Sequence, residues 1–163
     1  MTEELTTPAP LQGEELLLAC RKDPQKYRRI SRIPRTEAES TMAKLVMKAM
    51  LYRGQRTDDD TVAFISTSLL DELQRNEYGV WYLSFEEIEW IFRSTVLHSA
   101  DFYISVSSLY TVLIDYAKGL GDQLQRRVEK EKLAAKDKAL KESVVGTMMA
   151  AMAVDINDKF KIN

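Results

Sequence analysis

From Ala38 onward the apolar positions of this chain recur at steps of three and four, the period of an amphipathic helix. Ala38, Met42, Leu45, Val46, Ala49 and Met50 form one stripe. Thr36-Glu37-Ala38-Glu39 reads as a capping box before it, which predicts a helix to about Tyr52, closed by Arg53-Gly54-Gln55. Asp58, Asp59 and Asp60 suit a helix N-terminus. Val62, Ile65, Leu69 and Leu73 line the helix that follows, which gives out near Asn76 to Gly79. Ser84 and Glu87 form a second capping box, with Leu83 placed to staple onto Ile88. The helix so started, Phe85 to about His98, turns Ile88, Ile91, Phe92 and Thr95 inward and Trp90 to its flank. Tyr78, Trp81 and Tyr82 just before it predict an aromatic cluster. Asp101 to Val106 is a weakly alternating connection. Ser107 then caps a helix carrying Leu109, Leu113, Tyr116, Leu120, Leu124 and Val128, weakened by Gly119 and Gly121.

The two ends read differently. Residues 1–13, with Pro8, Pro10 and Gly13, read as a flexible arm, and a short helix runs from Glu14 to about Lys22. Asp23-Pro24 supplies an N-cap and a first-turn proline for a helix to about Arg32, since Ile33 precedes Pro34. That helix would set Tyr27 and Ile30 on one side and Arg28, Arg29 and Arg32 on the other. Beyond Val128 the chain becomes Glu129-Lys130-Glu131-Lys132 and an Ala/Lys-rich stretch to Glu142, read as a projecting, largely solvated helix. Val144 to Val154 regains apolar character through Met148, Met149 and Met152. The expected fold is all-α, about six helices in a compact irregular bundle with a long C-terminal helix projecting from it. Residues 14–128 form the helical domain, and 129–163 form a charged extension with a Met-rich tail.

Composition narrows the class. A chain of 163 residues, 45% hydrophobic and 29% charged, suits one globular domain. Its net charge of -2 conceals segregation: residues 21–56 hold eleven Lys/Arg against three Asp/Glu, and residues 58–101 hold ten Asp/Glu against two Lys/Arg. Helix starts account for most of the acidic half. The seven bases from Arg21 to Arg35 exceed what helix ends require. Acidic residues near the N-terminus have the wrong sign for a signal peptide. The longest apolar stretch, Val144 to Val154, is eleven residues, whereas a membrane span needs about 20. A cytoplasmic location without membrane contact is expected. Cys20, the one cysteine, reads as a small core residue.

Little in the sequence speaks for catalysis. His98, the single histidine, has Asp101 and Tyr103 nearby but otherwise suits the last turn of a helix, where a cation complements the dipole. No phosphate-binding glycine motif accompanies the three aspartates, and no serine sits in a G-x-S-x-G context. No enzyme activity, cofactor or metal is expected. The basic segment offers a non-specific contact to nucleic acid or a nucleoprotein complex through Lys22, Lys26, Arg28, Arg29, Arg32 and Arg35, with Tyr27 available to stack on a base. Its other reading is a solvated face paired with the acidic helices downstream. Met148, Met149 and Met152 likewise suit either self-association or partner docking, or an ordinary core. A protein-interaction module built on the acidic helices or this tail, without nucleic acid, is the rival to the nucleic-acid reading.

Trp81-Tyr82-Leu83, Glu86, Glu87, Glu89, Ile91 and Phe92, then Phe102-Tyr103, and finally Tyr116 with Arg126-Arg127 carry a family resemblance. Between about Tyr78 and Arg127 the chain resembles small uncharacterised all-helical proteins encoded by phages and mobile elements of gut anaerobes. The turn at Val96 to Asp101 departs from that family in lacking its glycine and basic residue. The resemblance implies a helical accessory protein close to DNA replication or maintenance, with no catalytic residues to transfer.

Overall fold

The structure, a computed structural model, describes residues 12–75, 80–99 and 101–160, with side chains to residue 153. The expected arm at residues 1–13 therefore falls almost wholly outside the described residues. Five helices precede a long C-terminal one: α1 Gly13–Lys22, α2 Arg35–Tyr52, α3 Asp59–Arg75, α4 Phe85–His98, α5 Val106–Tyr116 and α6 Asp122–Phe160. Short 3-10 turns at Ile30–Arg32 and Val80–Tyr82 and a π turn at Ala117–Gly121 join them. Among the described residues there is no strand, only an isolated antiparallel bridge between Arg29 and Ser84. Chain contacts divide the molecule into two units, residues 1–125 and 126–163.

In the first unit α2 packs on α3 and α4, α5 packs on the same two helices, and α1 lies along α4. The stripe Ala38, Met42, Leu45, Val46, Ala49 and Met50 is buried throughout, as are Val62, Ile65, Leu69 and Leu73 of α3. Ile88, Ile91 and Phe92 face the core from α4, while Thr95 is half-buried and Val96 is buried in its place. Trp81 and Trp90 are half-buried against the core, and Tyr78 lies outside the described residues. Gly54 closes α2 at φ 66°, a conformation that glycine adopts without steric cost. Asp58 accepts from the Thr61 N–H at 2.9 Å and caps α3.

Ser84 and Glu87 make the capping box expected of them: Glu87 N donates to Ser84 Oγ at 3.3 Å and Ser84 N to Glu87 Oε2 at 2.9 Å. Two other cap expectations are corrected. α2 begins at Arg35 behind Pro34, with no side-chain cap, and Thr36 lies inside the helix. Glu39 cannot reach back as a box requires, because Arg35 one turn earlier holds it at 2.6 Å. α5 is capped by Ser105 rather than Ser107: Ser108 N donates to Ser105 Oγ at 3.1 Å and Ser105 N to Ser108 Oγ at 2.9 Å. Burial of Ile104, which also exchanges hydrogen bonds with the Gln55 side chain, fixes that earlier start.

The helix expected from Asp23 to Arg32 does not form. Asp23 does start a turn, accepting from the N–H groups of Gln25 and Lys26 at 3.2 and 3.0 Å. The chain then extends, and Ile30 N donates to Leu83 O at 2.9 Å. Ile30 is thereby fully buried. A helix confined between two prolines is marginal by itself. Seating Ile30 in the core outweighs it.

Candidate functional site

Where this loop meets α4, the fold buries charge. Glu87 is 1% exposed, a rare state for a carboxylate. The capping box puts it there: the third residue of α4 must turn back toward Ser84, whose side the core covers. Its Oε1 accepts from Arg21 Nε at 2.7 Å and from the Tyr116 hydroxyl at 3.1 Å, and its Oε2 from the Ser84 N–H. Arg21 also donates through Nη1 to Gln125 Oε1 at 3.3 Å. Among the described residues no buried side-chain polar atom lacks a hydrogen-bond partner. That complete satisfaction is what makes a buried ion pair tolerable.

The electrostatics follow from the geometry. Burial opposes the Arg21 charge, but the Glu87 carboxylate and its hydrogen bond outweigh burial and raise the guanidinium pKa further. Burial, then the Glu87 charge, push the Tyr116 hydroxyl far above the ordinary phenol range. Cys20 is 4% exposed, the core position expected of it, and burial pushes its thiol up to about 11 despite a hydrogen bond with Ser84. A thiol held protonated is a poor nucleophile. The π turn closes over this cluster. A Cβ at Gly121 would stand 3.0 Å from Tyr116 O and 3.4 Å from Arg21 Nη2, so only glycine fits there undisturbed.

Outside the cluster a cleft of about 310 Å³ opens, lined by Arg21, Arg29, Tyr82, Gly121, Asp122 and Gln125. Arg29 lies over the Tyr82 ring at 5.8 Å, a cation–π distance, and Tyr82 is 55% exposed. Lys26 lies over the Tyr27 ring at 5.2 Å. The structure does not bring all six expected bases onto one open face. Arg28 pairs with Glu37, and Arg35 sits between Glu39 at 2.6 Å and Asp71 at 2.7 Å. Lys22 is exposed at the end of α1, and Lys26 and Arg32 are exposed on the loop beside half-buried Arg29. Part of the acidic half is engaged as well: Asp71 holds Arg35, Glu89 holds Lys48 at 2.8 Å, and Glu87 is buried.

The sequence missed the Glu87–Arg21–Tyr116 cluster. By sequence Arg21 is one base of a patch, Tyr116 one apolar step, and Glu87 a capping residue. The readable signal was that Glu87 occupies the inward-turned third position of a helix whose entry residue, Leu83, is buried. His98 ends α4 on the rim of a groove of about 730 Å³ between α1 and α4, lined also by Glu86, Glu89, Arg93 and Ser94. Asp101 and Tyr103 are not among its lining residues.

In the second unit, residues 129–153 of α6 are exposed along their whole length. Leu133, Leu140, Val144, Val145, Met148, Met149 and Met152 are 51 to 68% exposed. No helix of the described residues is long and apolar enough to cross a membrane. Comparison with family models, with curated proteins and with solved structures returned no significant match.

Proposed function

We propose that the protein is a non-enzymatic helical accessory protein of a mobile element that contacts single-stranded nucleic acid, without sequence preference, through the loop between α1 and α2. One observation carries the reading: Arg29 is laid over the exposed Tyr82 ring at the mouth of the Arg21 cleft, a charge and a π-face presented together. Phosphates are met by cations and unpaired bases by aromatic faces, so a surface offering both suits a single strand. Lys26 and Arg32 extend the positive edge from the same loop, with Lys22 at its start. Arg28 and Arg35 do not belong to the interface, because carboxylates hold both. Arg21 lines the same cleft while paired with the buried Glu87. The mobile-element assignment is supported by the resemblance between Tyr78 and Arg127.

Fluorescence anisotropy with a labelled single-stranded oligonucleotide tests this. With three phosphates met by Lys26, Arg29 and Arg32, log K should fall against log salt with a slope of about -2.1. Arg29→Glu with Arg32→Glu should flatten the slope by about 1.4. Tyr82→Ala should weaken binding by about 1–3 kcal/mol and leave the slope unchanged. Absence of binding at low salt, or a slope indifferent to the double charge reversal, defeats the proposal. A protein-interaction role has its own support in the exposed apolar residues of α6.

A further inference from the structure

Helix α6 beyond residue 126 exposes large apolar side chains with nothing described to cover them. Leu140, Val144, Met148 and Met152 follow one another at steps of four, with Val145 and Met149 as a second row beside them. Between Ser143 and Val154 the sequence carries no charge. Contiguous apolar surface of this kind marks an interaction site in a water-soluble helix. What covers it is settled by the charges at its two ends.

Those charges mirror one another about Met148. Residues 137 and 159 are Asp and Lys, 138 and 158 are Lys and Asp, and 141 and 155 are Lys and Asp. Each pair is centred on 148 and each is of opposite sign. Of the seven charged residues from 137 to 159 only Glu142 lacks a charged mirror, and it pairs along its own helix with Lys138 at 3.9 Å. At 3.6 residues per turn, positions 137, 141, 155 and 159 all lie within about 20° of the Met148 direction. On an ideal helix such positions close the two ends of the apolar stripe rather than lying on its back.

We propose that a second copy of this chain docks on α6 in antiparallel register about a two-fold axis at Met148. An isologous contact requires a patch complementary to itself after a half-turn. This one is: Val144 falls opposite Met152 of the second copy, Lys141 opposite position 155, and Asp137 opposite position 159. A parallel pair would instead set Lys141 against Lys141 and Asp137 against Asp137, which like-charge repulsion disfavours. The six exposed apolar side chains from Leu140 to Met152 offer roughly 100 Å² each, on the order of 1,200 Å² for a pair, the low end of what a specific dimer buries. The inference is independent of the nucleic-acid reading, since it uses only the second unit.

Sedimentation velocity on the full-length chain from about 1 to 100 μM should show a monomer–dimer equilibrium. Met148→Glu should leave only monomer, with circular dichroism and tryptophan fluorescence unchanged. Lys141→Asp alone and Asp155→Lys alone should each weaken the dimer about tenfold, because two like-charge contacts replace two attractive ones. The double variant Lys141→Asp/Asp155→Lys should recover wild-type affinity, a rescue that only the antiparallel register produces. A monomer throughout the range, a dimer that survives Met148→Glu, or a double variant no tighter than the singles would each overturn the proposal.

Discussion

Two regions of this protein depart from the ordinary inside–outside partition, in opposite senses. At the junction of α1, α4 and α5 a carboxylate and a guanidinium are taken out of water. Along the described part of α6 seven large apolar side chains are left in it. The first departure is complete in itself: Glu87 has Arg21, Tyr116 and Ser84 for every oxygen, and nothing further is needed to stabilise it. The second has no such closure. Polar satisfaction is directional and local, so one chain can supply it. Apolar burial needs area, and a lone helix has no opposing surface to give. The contrast separates a buried cluster that one chain completes from an exposed stripe, on which the proposed dimer rests.

The sharpest way to break the comparison is to remove the buried carboxylate. Glu87→Ala should cost about 3–5 kcal/mol in urea unfolding, because Arg21 loses its buried counter-charge. Glu87→Met together with Arg21→Met should recover much of that loss, since the desolvation cost vanishes with both charges. If the single variant is as stable as the parent, the cluster is not satisfied as the structure shows.

A smaller effect comes from pH. The Cys20 thiol is raised from 9.0 to about 11 in the folded chain, so the folded state keeps a proton that the unfolded state gives up. Stability is therefore full below pH 9 and falls as pH rises toward 11, by up to about 2–3 kcal/mol. Tyr116, shifted the same way, extends the loss to more alkaline pH. Cys20→Ala should remove the first part of this slope and leave the second, as followed by denaturant midpoints across the window. The smallest effect belongs to the other region. Leu140→Lys on exposed α6 should move the unfolding midpoint reported by Trp81 and Trp90 by less than about 0.5 kcal/mol.

Much of the fold was legible because local chemistry and core packing agreed. The α2 and α3 stripes, the Ser84–Glu87 box and the core place of Cys20 are periodic or short-range signals. The failures share a cause. Asp23-Pro24 does begin a turn, but Ile30 finds a seat beside Leu83 from more than fifty residues away, and that seat keeps the helix from forming. Ser107 reads as the α5 cap by sequence, and the burial of Ile104 moves the cap to Ser105. By sequence Arg35 reads either as an open base or as one paired with the acidic helices, and α3 decides between them by bringing Asp71 to it.

The sequence alone determined an all-helical chain, the inward faces of α2 to α5, and a long C-terminal helix whose Met-rich stretch lacks charge. Even the mirrored charges about Met148 are a property of the sequence, since helical geometry is enough to place them. Tertiary structure alone decided which bases are neutralised, which tyrosine meets Arg29, and that Arg21, Glu87 and Tyr116 converge. Pattern along a chain fixes which side of a helix is apolar. Pairing of charges depends on distance between segments, which only packing sets.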